Sequence, residues 1–215
     1  MRVKTAGWVL ATLLSSCVFG IYILLVILLT HAFEIPHRYD VLFCSAVFMQ
    51  IILILFHLEK KEEVYVIGIF HILGTCMELF KTHMGSWSYQ GDGLFMLYQV
   101  PLFAGFMYAS VGSAIARSIR LFSVSFTHLP KPSSLLALST AIYVNFFTHH
   151  ITYDIRYVLL CCIVFLFYQT EIRITHKNSY IRFRFLVVAI GVATSIWIAE
   201  NIATYANIWR YPHQL

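Results

Sequence analysis

The chain has 215 residues, of which 60% are hydrophobic and 12% charged, with a mean hydropathy of +0.76. A water-soluble domain carries about twice that share of charge, so lipid rather than water is predicted to bathe most of the surface. A net charge of +5 and a pI near 9.0 would suit a nucleic-acid partner only if the basic residues formed a stripe with interleaved polar readers. They fall instead in short segments between long apolar runs, so no nucleic acid is expected.

Met1-Arg2-Val3-Lys4 opens the chain, and Leu14-Ser15-Ser16-Cys17 within the following apolar run resembles a lipoprotein cleavage site. Cleavage there would leave Val18–Thr30, too short to cross a bilayer. Because the run continues unbroken past Cys17, an uncleaved first span is predicted. Stretches of the roughly 17 to 25 apolar residues that a crossing helix needs lie at 7–30, 41–58, 64–82, 94–115, 134–150, 155–170 and 183–205. The predicted fold is all-α: a single integral domain over 1–215, a bundle of seven transmembrane helices in the cell membrane. Glu59-Lys60-Lys61-Glu62-Glu63 separates the second span from the third, and His128-Leu129-Pro130-Lys131-Pro132 precedes the fifth.

With the N-terminus in the cytoplasm, Lys and Arg at 2, 4, 60, 61, 117, 120, 131, 173, 177, 182 and 184 are inside, and those at 38, 81, 156 and 210 outside. Eleven against four follows the positive-inside bias. Cys17, Cys44, Cys76, Cys161 and Cys162 fall in apolar segments without CxxC spacing, which favours neither a zinc site nor a disulfide.

An ionisable group inside the bilayer costs about 2.5–3.5 kcal/mol at a helix centre, so each one asks for a reason. Two carboxylates, Glu78 and Glu200, fall inside predicted spans, near the outer ends of the third and seventh. Glu78, Thr82, Trp87 and Tyr89 recur at the offsets of Glu200, Thr204, Trp209 and Tyr211, giving E-x3-T-x4-W-x-Y twice, 122 residues apart. The recurrence predicts an internal parallel repeat, an arrangement that places sites at the repeat interface. His71, Thr75, Glu78 and Thr82 form one polar helix face. Trp197, Glu200, Thr204 and Asn207 form a second, with Asn201 beside it. The fifth span ends in Asn145-Phe146-Phe147-Thr148-His149-His150, followed by Asp154 and Arg156. All three constellations are expected at one membrane face, as a site requires. The same residues also fit plainer roles: an interfacial aromatic belt, hydrogen bonds between helices, and close packing at Gly68, Gly74, Gly105, Gly112 and Ser113.

The strings His71-Ile-Leu-Gly-Thr-Cys-Met-Glu78-Leu-Phe-Lys-Thr82, Gly85-Ser-Trp87-Ser-Tyr89, Val100-Pro-Leu-Phe-Ala-Gly-Phe-Met-Tyr108, Tyr143-Val-Asn-Phe-Phe-Thr-His-His150 and Ile196-Trp-Ile-Ala-Glu200-Asn resemble the YoaT-like bacterial membrane proteins, domain-of-unknown-function family 817, from about residue 40 onward. That resemblance implies a bacterial membrane setting and no particular activity. A looser likeness, to membrane carotenoid hydratases and heterodimeric lycopene cyclases, rests on Glu78, Gly85, Trp87, Tyr89 and Pro101 and is one of pattern only. The chain departs from it in its His149-His150 pair and in lacking a doubled Pro-Glu-Glu element.

The leading expectation is a membrane-embedded enzyme acting on an apolar lipid or isoprenoid, with Glu78 and Glu200 as general acid and base. Thr82, Trp87, Tyr89, Asn145, Asn201, Thr204, Trp209 and Tyr211 would line the substrate. Desolvation disfavours the charged form of a carboxyl group, and a protonated acid among aromatic faces suits protonation of a double bond with a cationic intermediate. Lys81 and Arg156 are placed to hold a phosphate head group. A second expectation is a proton-coupled transporter or small-molecule binding protein using the same carboxylates. A third is a metal-dependent hydrolase recruiting His71, His149, His150 and Asp154. The sequence names no cofactor. A retinal receptor is disfavoured because 183–205 contains no Lys for a Schiff base.

Overall fold

The structure is a computed structural model that describes residues 2–176 and 179–212. Lys177 and the side chains of Arg2 and Lys4, assigned above to the cytoplasmic side, lie outside what is described. Contacts divide the chain into two compact units, Met1–Leu121 with Trp197–Leu215, and Phe122–Ile196.

The first unit holds α1 (Arg2–Ser16), α2 (Val18–Ala32), α3 (Arg38–Leu55), α4 (Lys61–His83) and α5 (Phe103–Leu121). A two-strand hairpin, β1 (Met96–Leu97) and β2 (Val100–Pro101), precedes α5. The core gathers Phe19, Ile23 and Ile27 of α2, Tyr39, Leu42, Ala46 and Leu53 of α3, and Phe103, Ala104 and Ala109 of α5. The closest helix pair is α4 with α5, and glycine sets its spacing. A Cβ on Gly74 would overlap the Tyr108 ring, one on Gly105 would lie 2.7 Å from the His71 ring, and one on Gly112 would lie 2.8 Å from Phe70. Small residues let two apolar helices approach in this way.

The expectation of seven spans is corrected. Among the described residues, three helices are long and apolar enough to cross a membrane: α3, α4 and α8 (Phe185–Tyr205). A fourth results if α1 and α2 count as one bent span. The predicted first span breaks at Cys17 with a bend of 66°. Thr12 and Ser16 hydroxyls bond back to the carbonyls of Trp8 and Thr12 at 2.8 and 2.9 Å, and Arg117 of α5 takes the Ser15 carbonyl at 2.8 Å. Side chains that compete for helix carbonyls bend helices.

The predicted span 94–115 also fails at its start. Asp40 of α3 accepts the amides of Leu94 and Phe95 at 2.9 and 3.0 Å, which anchors the hairpin, and Pro101 brings no N–H to a helix. A helix begins only at Phe103, and it ends with Arg117 and Arg120. The predicted fifth and sixth spans are α6 (Pro132–Thr148, 17 residues) and α7 (Arg156–Phe167, 12 residues). At 1.5 Å per residue, α7 reaches about 18 Å against a hydrocarbon core of about 30 Å.

The all-α expectation also missed a sheet, because segments rich in Arg were read as loops. In the second unit β3 (Val124–Thr127), β4 (Glu171–His176) and β5 (Ser179–Arg184) form an antiparallel sheet in the order β3-β4-β5. Glu171-Ile-Arg-Ile-Thr and Tyr180-Ile-Arg-Phe-Arg alternate polar and apolar residues with the two-residue period of a strand. The start of the predicted seventh span, 183–205, therefore belongs to β5, and α8 begins at Phe185.

The α4–α5 spacing yields a test. Gly105→Val should force α5 off His71 and Thr75, an overpacking that costs typically about 1–3 kcal/mol. Thermal unfolding of the detergent-solubilised variant is expected to begin at lower temperature, whereas Gly68→Ala, whose Cβ meets nothing within 4 Å, should leave it unchanged.

Candidate functional site

Glu78 lies on α4, five residues before its end, with its side chain buried at 4% exposure. Three donors close on its carboxylate. Trp87 Nε1 and Tyr89 Oη both donate to Oε2 at 2.8 Å, and Tyr108 Oη of α5 donates to Oε1 at 2.8 Å. Trp87 and Tyr89 reach it because α4 stops at Gly85, whose φ of +69 is left-handed. There Gly85 N–H bonds Thr82 O at 3.1 Å and Ser86 N–H bonds Lys81 O at 3.0 Å, the Schellman pattern that turns the chain back over the helix. Burial, followed by the Glu78 charge, pushes the Tyr89 phenol well above its ordinary range, so it remains a donor.

The second window meets the first. Asn207 N–H bonds Thr204 O and Ile208 N–H bonds Ala203 O, both at 3.0 Å, with φ of +53 at Asn207, so α8 ends as α4 does. This cap alone is not distinctive, because α2 and α3 end in it too, at Glu34 and His57. What is particular is the pairing: Ser88 and Arg210, the middle residues of the two W-x-Y elements, exchange both backbone bonds at 2.9 Å in an antiparallel bridge. Trp87 meets Tyr211 edge-on at 6.3 Å. Equivalent residues thus pair about a local two-fold. The N-terminus of α3 fixes the second element, with Arg38 donating to Ala206 O at 2.8 Å and Tyr39 to Ile208 O at 2.7 Å.

The two carboxylates do not share one environment, which corrects the expectation of matched faces. Glu200 is exposed, it couples electrostatically to Glu78 and Tyr108, and its carboxylate takes no hydrogen bond among the described residues. Buried Trp209 Nε1, the counterpart of the Trp87 donor, has no hydrogen-bond partner among the described residues. Thr82 Oγ1 and Ser86 Oγ are likewise buried and unpartnered. Thr204 is half-buried, and Asn201 turns its amide back to Trp197 O at 2.7 Å. His71 packs its ring on Phe106 at 4.5 Å and faces Gly105.

The third constellation lies in the second unit, where it locks the α6–α7 turn. Asn145 donates to Asp154 at 3.2 Å and accepts the Ile155 amide at 3.0 Å, while Asp154 pairs with Arg156 at 2.5 Å. His149 Nδ1–H donates to Asn145 O at 3.0 Å, and its ring lies 4.0 Å from that of His150. A groove of about 520 Å³ on α6, lined by Leu136, Tyr143 and Phe147 among others, contains none of the predicted site residues. No three His, Cys, Asp or Glu side chains gather as a metal-ligand set among the described residues.

Sequence reasoning missed a buried ionic network at the opposite end of α4 and α5. Arg117, 2% exposed, donates to Leu58 O and Ser15 O at 2.8 Å. Arg120 makes two bonds to Glu63, at 2.5 and 3.0 Å, and a third to Leu58 O. Ser113 bonds Glu59 at 2.5 Å, and Gln50 bonds its other oxygen. Part of the signal was present in the spacing: Arg117 and Arg120 share a helix face at i, i+3. Reading them as topology markers hid it.

A family model described as a protein of unknown function, DUF817, matches residues 8–215. The uncharacterized protein YoaT of Bacillus subtilis (strain 168) is 39% identical over 211 residues, which is 97% of this chain and 79% of the relative. No solved structure matches.

Two outcomes are expected. Arg117→Leu leaves the Ser15 carbonyl without its side-chain donor and takes one of two donors from Leu58 O, a loss of about 1–3 kcal/mol; thermal unfolding in detergent should show it, and an unchanged midpoint would contradict the network. The Arg156 amide, then the Asn145 and Arg156 side chains, hold Asp154 below the usual carboxylate range. A depressed folded value means the turn lock is present above the unfolded-state pKa and is lost as pH falls through the folded one. Amide exchange at Ile155 and Arg156 should therefore accelerate in acid for the wild type and be pH-independent in Asp154→Asn once intrinsic rates are removed.

Proposed function

We propose, from the premise that this chain belongs to the DUF817 family of proteins of unknown function, that it is a multi-pass cell-membrane protein acting on an apolar lipid or isoprenoid at Glu200. Three helices long and apolar enough to span are compatible with membrane localisation. The matched caps and the Ser88–Arg210 bridge support an internal repeat, in which α4 with Glu78 and α8 with Glu200 are equivalent halves.

The observation that carries the reading is the mismatch between those halves. Glu78 is closed by its own Trp87, Tyr89 and Tyr108, whereas Glu200 is open and the matching donor, Trp209 Nε1, is unpartnered. An exposed carboxylate on an apolar helix is expensive in hydrocarbon unless something meets it. A lipid whose polar group bridges Glu200 and Trp209, with its apolar body along α8, would satisfy both. Tyr108, bonded to Glu78 and coupled to Glu200, is placed to pass a proton between them. Glu200 then serves as the acid or base that touches substrate, and Glu78 as the group that exchanges a proton with it through Tyr108.

One observation favours a second reading, proton-coupled transport. The α4–α5 pair carries carboxylates at both ends, Glu59 and Glu63 at one and Glu78 at the other, with His71 between. Chains of ionisable groups through a membrane mark proton paths.

Mass spectrometry of lipids and pigments that co-purify with the protein separates these readings. A specific molecule held by the wild type and lost in Glu200→Gln is the expected result. Identical lipid complements in the two proteins, together with proton-dependent uptake into reconstituted vesicles, would replace the enzyme reading with the transporter.

A further inference from the structure

The β3-β4-β5 sheet is amphipathic in a way that nothing said so far explains. Its register pairs Val124 with Ile174 and Ile174 with Ile181, and Phe126 with Ile172 and Ile172 with Phe183, so these six apolar residues share one face. Alternation puts the other residues on the opposite face, where Ser125, Arg173 and Arg182 stand in one row and Thr127, Glu171 and Arg184 in the next. Three arginines therefore face one glutamate, a net positive surface. Its charges are only partly answered within the sheet: Arg182 stacks over Tyr180 at 4.9 Å and lies 3.9 Å from Glu171. Arg173 Nε and Thr127 Oγ1 are buried without hydrogen-bond partners.

The apolar face is not fully covered, since Phe126 and Phe183 are 36% and 37% exposed. The neighbours of the sheet along the chain say where that face lies. Arg184 is followed directly by Phe185, the first residue of α8, a helix of 21 residues. At 1.5 Å per residue α8 is about 31 Å long, the thickness of a hydrocarbon core. If α8 crosses, its first residue leaves the hydrocarbon at the headgroup level, and the strand that ends one residue earlier sits there as well. β3 leads into apolar α6 through His128–Lys131, and α7 leads into β4 through Tyr168–Thr170, so three apolar helices begin or end at this sheet.

We propose that the sheet lies in the membrane interface, its apolar face seated in the acyl–headgroup boundary, and that Arg173, Arg182 and Arg184 bind the phosphates of anionic phospholipids. Amphipathic helices lie in the interface by the same division of faces. Anionic headgroups attract clustered Arg side chains at the membrane surface, by about 1 kcal/mol per charge. The proposal rests on the membrane reading of the previous subsection but does not involve Glu78 or Glu200.

The test uses the whole protein, purified in non-ionic detergent and offered phosphatidylglycerol or phosphatidylcholine, with bound lipid counted by native mass spectrometry. Wild type should prefer phosphatidylglycerol, and the preference should fall with added salt. Replacing all three arginines by Gln should reduce it by about a hundredfold, or about fivefold for each charge, while replacing all three by Lys should retain it, which separates lost charge from lost folding. Equal loss in the Gln and Lys triples overturns the proposal, as does equal binding of the two lipids by wild type. Displacement of phosphatidylglycerol by an oligonucleotide or polyglutamate at equal charge overturns it too, by giving the face to a soluble polyanion. Extraction of the chain from cell membranes by alkaline carbonate would sink the membrane reading itself, and a chain that resists extraction yet shows no lipid preference sinks only the interfacial sheet.

Discussion

A carboxylate among apolar side chains keeps its place only where donors surround it, and the arrangement of the first unit follows from meeting that condition for Glu78. Supplying Trp87 and Tyr89 requires that α4 stop at a left-handed residue, so that the chain returns over its own last turn. Supplying Tyr108 requires α5 to run close to α4, which Gly74, Gly105 and Gly112 permit. The returning strand is then held by the antiparallel bridge from Ser88 to Arg210, and Arg38 and Tyr39 hold the other side of that bridge. Satisfying one carboxylate thus ties together two helix ends and the start of a third helix.

The same logic operates at the other end of the α4–α5 pair with the signs mixed. Arg117 and Arg120 take carbonyls freed where α1 and α3 end, and Glu59 and Glu63 neutralise them. Cations at helix C-termini are favourable on their own, and here they also bind separate helices to one another. The bend at Cys17 is part of this arrangement, because the Ser15 carbonyl that Arg117 takes is one that a straight helix would have kept in its ladder.

The Glu78 cluster could be read in part from sequence for a physical reason: Glu78 stood out because a carboxylate in a run of apolar residues is expensive wherever it folds. The W-x-Y repeat was legible for the same reason, since rare residues at equal offsets leave few ways to satisfy them. What stayed hidden was pairing at a distance. Tyr108 lies 30 residues from Glu78 and looks like any aromatic residue of an apolar helix. The strands were missed because hydropathy averaged over a span-length window erases a two-residue alternation. Glu171-Ile-Arg-Ile-Thr then reads as a charged loop although every second residue is apolar. Span counting failed for a related reason, because it registers apolar length and not the Pro101 or Asp40 contacts that keep 94–102 out of a helix.

The local two-fold sharpens what Glu200 does. If both halves were only structural, the economical arrangement would satisfy them alike, with Trp209 donating to Glu200 as Trp87 donates to Glu78. The backbone permits it, since the caps agree bond for bond and the bridge joins equivalent residues. Yet the second half leaves a buried indole N–H without an acceptor and an exposed carboxylate without a donor. An unmet buried donor costs about 1–3 kcal/mol, and an open carboxylate in lipid costs at least as much again. Under the proposed function, a polar group of the ligand would meet both, leaving a symmetric scaffold with one half closed on itself and the other half open.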